Sequence, residues 1–361
     1  MTIAYYVSGH GFGHSVRAIE IMRRLSGGIP LFIKSGAPEW FFRQELDRPF
    51  HFFPESFDCG ALEGDGLTID REMTLKTCAS LAEQNARRLA SEADWLRQIG
   101  ARIVVSDIPS FPLAAARAAG VPGLIVANFT WVEIYRPYLR DYPRRRGMVE
   151  ALEAEYALAE LAIVTPPDLP MPAFQRVLRA PMVARRGASR RIEIAQAYGL
   201  DARRRWLLLY LGNLGTALDL QTLRNFNDSV FLMFSQTDKT APANLVSMEQ
   251  GRFRHEDVVA SVDGVLAKPG YGMVGECMAN GAPLLYAERE HFAEYEALER
   301  ALQNWGGAIR LSRADFAAGH WAQALARLAT LRPQPLENLN GAEVIARELA
   351  AWVERTQNNE R

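Results

Sequence analysis

Short apolar runs recur along the chain, and between them the pattern shifts to a helical period. In the first half the runs are Ala4-Tyr5-Tyr6-Val7, Leu31-Phe32-Ile33, Ile103-Val104-Val105, Leu124-Ile125-Val126-Ala127 and Leu161-Ala162-Ile163-Val164. Runs this short, apolar throughout, suit strands covered on both faces, as in a parallel sheet. After Ser15, Val16, Ile19, Ile21, Met22 and Leu25 fall at helical spacing, with Arg17, Glu20, Arg23 and Arg24 assigned to the opposite, polar face. A long helix is expected from about Met73 to Gly100, with Leu75, Leu81, Leu89 and Trp95 as its core stripe, and a shorter one over Ala114–Ala119. Residues 50–71, ahead of the long helix, read as irregular. Strand and helix in alternation predict an α/β fold with parallel sheets.

Leu161–Val164 reads as the last strand of the first half, and Thr165-Pro166-Pro167-Asp168-Leu169-Pro170-Met171-Pro172 as a proline-rich connector between domains. The second half starts afresh with Trp206–Leu211, followed by strands at Val230–Phe234 and Gly264–Ala267 and a short helix beginning at His255. The expected domains are therefore 1–170 and 171–340, with a terminal helix in 341–361 whose apolar positions Val344, Ile345, Leu349 and Trp352 share one face.

Composition narrows the function classes. The 361 residues carry 41 Lys and Arg against 42 Asp and Glu, so no global field recruits nucleic acid or an anionic membrane. The N-terminus enters a strand directly and no long apolar run occurs, which gives a cytoplasmic protein as the expectation. Cys59, Cys78 and Cys277 lack metal-ligand spacing, so neither a zinc site nor a disulfide framework is expected. The basic tract Arg185, Arg186, Arg190 and Arg191 reads as solvated surface.

The candidate chemistry begins at Ser8-Gly9-His10-Gly11-Phe12-Gly13-His14-Ser15. Glycines let a ligand approach the backbone, and the helix that follows presents unpaired N–H groups. The dehydrogenase fingerprint wants Gly-x-Gly-x-x-Gly and an acid ending the second strand. Here the glycines run Gly9-x-Gly11-x-Gly13 and the strand ends in Lys34-Ser35, so the NAD reading fails. The Walker pattern is absent too. A plain β-α turn remains the bland alternative for this loop. Asp107 ends a buried strand, where open α/β sheets place ligands, although it could equally cap the next helix. Asn128-Phe129-Thr130-Trp131 brings polar and aromatic groups to the same edge.

In the second half, Gly212-Asn213-Leu214-Gly215-Thr216 repeats the logic of the first loop. Lys268-Pro269-Gly270-Tyr271-Gly272-Met273 opens a helix whose first amides could hold a diphosphate, and Glu276, about one turn in, could take both hydroxyls of a ribose. A first-turn Glu favoured by the helix dipole is the structural alternative.

This order of parts resembles the GT-B glycosyltransferases, and most closely the glycosyltransferase-like N-terminal half of plant L-arabinokinases with its stand-alone bacterial relatives. The residues that carry the resemblance are Tyr5–His14, Asp58-Cys59-Gly60, Val105-Ser106-Asp107, Asn128–Trp131, Pro170–Phe174 and Lys268–Gly272. It implies a GT-B fold, two Rossmann-like domains with parallel sheets facing across a cleft, and a tail helix returning to the first domain. The Gly-Leu-Gly-Ser-Ser phosphate loop of the sugar-kinase half does not occur in these 361 residues, so the resemblance does not carry an expectation of arabinokinase activity.

A looser resemblance to plant small-molecule glycosyltransferases implies His14 as general base with Asp107 orienting it, and His10 as rival base or acceptor contact. Gly11, Phe12, Gly13, Asn128 and Trp131 are then the acceptor side. Gly212, Asn213, Gly270, Tyr271, Gly272, Met273 and Glu276 are the nucleotide-sugar side, with His291 and Glu294 near the donor sugar. The expected co-substrate is a UDP-sugar, with no metal or other cofactor required. A nucleotide-sugar hydrolase or epimerase, or a non-catalytic nucleotide-sugar sensor, stays open as an alternative.

Overall fold

A computed structural model of the chain describes residues 2–63, 68–211, 218–235 and 240–358. The chain divides into two compact units. The first comprises Met1–Leu62, Asp70–Val183 and Asn338–Arg361, and the second Glu63–Ile69 and Ala184–Glu337.

In the first unit the strands are β1 (Thr2–Val7), β2 (Leu31–Ser35), β3 (His51–Phe53), β4 (Ala101–Asp107), β5 (Gly123–Ala127), β6 (Leu161–Val164) and β7 (Val177–Arg179). They form one sheet in the order β3-β2-β1-β4-β5-β6-β7, and each pairing is parallel. The chain leaves β1 on one side and returns to β4 on the other, so the strand order reverses between them. Register pairs Val7 with Asp107, and the Ser8 amide donates to the Asp107 carbonyl at 3.1 Å. The ends of β1 and β4 therefore lie side by side at the switch point, where sheets of this kind bind ligands.

Two elements depart from the sequence reading. Leu161–Val164 is not the last strand, because β7 pairs with it; Val177-Leu178-Arg179 is a three-residue, half-exposed edge strand that leaves no apolar run. The stretch 50–71 is not wholly irregular, since His51-Phe52-Phe53 pairs with β2. The long helix runs Arg71–Gln98, starting where the Asp70 side chain accepts from the Met73 amide.

The terminal helix Gly341–Asn358 packs against the opening helix Phe12–Arg24. Ile345, Leu349 and Val353 are buried in one core with Ile3, Ile19 and Met22, each such side chain contributing roughly 1.5–3 kcal/mol. An ion pair of 2.5 Å between Arg24 and Glu343 fixes the contact at its edge.

The second unit repeats the topology. Its strands are β8 (Arg205–Tyr210), β9 (Ser229–Met233), β10 (Leu245–Ser247), β11 (Gly264–Ala267), β12 (Leu284–Ala287) and β13 (Ala308–Leu311), in the order β10-β9-β8-β11-β12-β13. All are parallel, and the order again reverses, here between β8 and β11. Trp321 is fully buried against Phe226 in this unit's own core.

Candidate active site

The opening helix begins after Gly11, which holds φ at 76° and caps the helix without any side-chain bond. That places His14 in the first turn and Arg17 one turn later, on the same face. Both are buried, although Arg17 was assigned to the polar face. Asp107, fully buried at the end of β4, receives a two-pronged contact from Arg17: Nε donates to Oδ2 at 2.8 Å and Nη2 to Oδ1 at 2.7 Å. A third donor, Arg17 Nη1, reaches Asn128 Oδ1 at 2.7 Å.

His14 Nδ1 lies 3.0 Å from Asp107 Oδ1 and 3.3 Å from Arg17 Nη2. An ionised carboxylate only accepts and a guanidinium only donates, so the shorter contact puts the Nδ1 proton toward Asp107. Nε2 then carries the lone pair. Burial pushes the Asp107 carboxyl up, but the Arg17 charge and the hydrogen bonds from Arg17 and His14 outweigh it and hold the group below the ordinary carboxylate range. Asp107 does not cap the next helix. Ser110 stands at that cap position.

The other acceptor-side residues divide. His10 lies edge-on to Trp131 and directly against Gly60, where a Cβ would fall 2.2 Å from His10 Nδ1, and Gly60 holds φ at +69°. Only glycine fits there. Trp131 is almost wholly buried, and its Nε1 donates to Asp58 Oδ2 at 2.7 Å. Burial raises the Asp58 carboxyl, opposed by hydrogen bonds from Ser8 and Trp131 and by His14. Asn128 is fully buried and turned to Arg17, so its amide serves the dyad's support. Phe12, the first residue of the opening helix, is exposed and packed on Trp40 and Phe41, between the cap Gly11 and Gly13 in sequence. Arg17 and Asp58 were both missed as site residues; the spacing of three between His14 and Arg17 was the available signal.

In the second unit the helix Tyr271–Asn280 starts at Gly270 with no side-chain cap and no acid in its first turn. Tyr271 and Met273 are buried, and Gly272 is half-buried between them. Glu276 is 3 % exposed and takes Arg185 Nε on Oε1 at 2.7 Å and His255 Nδ1 on Oε2 at 2.6 Å. A ribose contact would have to share oxygens that already accept from the protein. The reading of the basic tract as solvated surface holds for Arg186 and Arg190, which are exposed, and fails for Arg185 and Arg191. Arg185 is buried between Glu276 and Glu256, Arg186 bonds the carbonyls of Ala279 and Leu336, and Arg191 those of Ala202, Arg204 and Ser261. Carbonyl acceptors in distant loops leave no trace in local sequence.

Burial pushes the Glu276 carboxyl up, but Arg185 and then His255 overcome it and bring it down to about 2. An acid depressed on folding adds stability above its unfolded value and loses it as pH falls through the folded one. Between pH about 4.5 and about 2 the second unit should therefore lose on the order of 3 kcal/mol from this group. Urea melts across that range should show the loss, and the Glu276→Gln variant should show a much flatter pH dependence.

Glu294 is buried at the start of the helix Glu294–Trp305, and His291 is exposed with φ at 61°, a conformation uncommon outside glycine. Gly212 and Asn213 lie outside the described residues, as do Gly64-Asp65-Gly66-Leu67 of the 50–71 loop. Among the described residues no cluster of His, Cys, Asp and Glu could hold a metal ion, and no helix is long and apolar enough to cross a membrane.

Solved structures similar to this chain include glycosyltransferases. The glycotransferase of kitacinnamycin matches with a TM-score of 0.62 at 15% identity, covering 100% of this chain and 98% of that one. UGT2 of Phytolacca americana, complexed with UDP-2fluoro-glucose and pterostilbene, matches with a TM-score of 0.61 at 15% identity over 98% and 95% of the two chains. The fold is GT-B. No family profile matches the chain. Among curated proteins, L-arabinokinase of Arabidopsis thaliana is 30% identical over 351 residues, which is 96% of this chain. The chain spans about a third of that relative's length, 34%. A GT-B fold by itself hosts no one chemistry, so the functional reading has to come from the residues.

Proposed function

We propose that this GT-B chain is a glycosyltransferase that moves a sugar from a nucleotide-sugar donor, a UDP-sugar, to a hydroxyl acceptor by base-assisted displacement. The observation that supports this most is the His14–Asp107 contact of 3.0 Å with Arg17 clamped on the carboxylate. His14 Nε2 takes the acceptor proton as the acceptor oxygen bonds to the anomeric carbon. The bond from that carbon to the diphosphate breaks, and its electron pair leaves with the diphosphate. Asp107 keeps the ring in the needed tautomer and stabilises the imidazolium that forms.

The Gly270-Tyr271-Gly272-Met273 amides at the helix start receive the leaving diphosphate, and Glu276 the ribose. Backbone amides meet the diphosphate charge, and the mechanism we propose gives no role to a metal. Support for UDP comes from the likeness to UGT2, described with UDP-2fluoro-glucose.

The test is incubation of the protein with UDP-, dTDP- and GDP-sugars and a panel of hydroxyl acceptors, followed by mass analysis. Transfer from a UDP-sugar that requires an acceptor is the expected result. Free sugar released without an acceptor would make the protein a hydrolase, and donor binding with no turnover would make it a sensor.

A further inference from the structure

Two cations meet at the carboxyl ends of adjacent strands in the second unit. Lys268 follows β11 directly, Arg289 lies two residues beyond β12, and these strands pair in register through Ala267 and Tyr286. Both bond the same carboxylate: Lys268 Nζ reaches Glu63 Oε1 at 2.6 Å and Arg289 Nη2 the same oxygen at 2.6 Å. Glu63 belongs to the short segment Glu63–Ile69, which groups with the second unit although both its flanks group with the first.

One carboxylate does not exhaust these donors. Arg289 is 7 % exposed and its Nε is buried without a partner among the described residues. The Arg289 guanidinium lies over the Phe292 ring at 4.2 Å, which fixes its plane. Burial, and then the Arg289 charge, lower the Lys268 amine, while Glu63 and Glu294 act the other way. The two cations therefore sit together at an electrostatic cost that a second negative charge would relieve. The next residues are Pro269 and Gly270, the uncapped start of the helix Tyr271–Asn280, and a Cβ at Gly270 would meet nothing within 4 Å. A doubly charged group with several oxygens fits this chemistry better than one carboxylate does.

We propose that Lys268 and Arg289 hold the diphosphate of the donor, and that Glu63 occupies their site as a tethered competing anion which the diphosphate displaces. The ligand's identity rests on the nucleotide-sugar reading above. Glu63 thereby offsets part of the charge of the two cations, Arg289 buried and Lys268 half-buried, while no diphosphate is bound, and it sets a threshold that a weakly charged ligand does not cross.

The experiment is calorimetric titration of the full chain with inorganic pyrophosphate and, separately, with UDP. Removing the internal competitor in Glu63→Gln should tighten pyrophosphate by about tenfold, and Lys268→Met should weaken it by about tenfold or more, as expected for one charge-assisted contact. The double variant should lose the gain. If Glu63→Gln does not fold, Glu63→Asp, which withdraws the carboxylate by one methylene, should tighten pyrophosphate in smaller measure. Equal or weaker binding in the Glu63 variants overturns the proposal. If pyrophosphate follows the expected pattern but UDP binds no better, the anion site stands and the nucleotide reading fails. UDP binding that ignores the Glu63 and Lys268 variants leaves the nucleotide reading standing and removes this inference.

Discussion

His14→Ala should lower turnover by about 10²–10⁴-fold and leave donor affinity nearly unchanged, because that is the range general-base catalysis supplies. The expectation follows from which atom is free. Nδ1 is committed to Asp107 at 3.0 Å, so proton transfer belongs to Nε2 and is lost with the ring. Asp107→Asn should do less to the chemistry, since the base itself remains. His10 gives the comparison. Its ring is wedged against Gly60 and Trp131, so His10→Ala opens a gap beside the loop and should raise the acceptor KM more than it lowers kcat. A larger kcat loss in His10→Ala than in His14→Ala would transfer the base role to His10. Steady-state kinetics of both variants, with donor affinity measured separately, decide it.

The parts of the fold that rest on local pattern were legible in the sequence. Buried parallel strands are apolar on both faces, so β1, β4, β5, β6, β8 and β11 announce themselves as runs, and Asp107 at the end of one is conspicuous. Edge strands are different. Val177-Leu178-Arg179 and His51-Phe52-Phe53 are half-exposed and owe their pairing to a neighbour, which no local period records. The charged residues of the site fail to declare themselves for a related reason. Hydropathy puts Arg17 on the solvent face of an amphipathic helix, and only the arrival of Asp107 and Asn128 from β4 and the turn after β5 makes its burial affordable. Arg185 depends in the same way on Glu276 and Glu256, far along the chain. Asp58 depends on Trp131 and Ser8. A buried ion pair is a property of two distant segments at once, so its arginine half reads as surface when taken alone.

The same dependence makes Arg17 a sensitive point of the first unit. Arg17→Met leaves the Asp107 carboxylate without its fork and Asn128 Oδ1 without its donor from Arg17. Breaking a buried pair from one side costs about 3–5 kcal/mol. For a unit of roughly 200 residues that corresponds to a fall in Tm of about 6–20 °C. Arg17→Lys should recover little, because an ammonium cannot make the two parallel contacts of the guanidinium. The Arg17→Met/Asp107→Asn double variant should be more stable than Arg17→Met alone, since it removes the uncompensated charge. The pH response follows with its sign. In the parent chain Asp107 is held below its ordinary value, so its contribution is present above pH about 4 and is lost only as pH falls through that depressed value. Without Arg17 the burial that raises the group is no longer outweighed, and protonation should begin at higher pH, relieving part of the destabilisation as the medium is acidified. Thermal melts from pH 4 to 8, roughly the range in which an unshielded buried carboxylate titrates, would show the Tm gap between parent and Arg17→Met narrowing toward the acid end. A gap that stays constant across that range would mean that the Arg17 fork carries packing and no electrostatic support for Asp107.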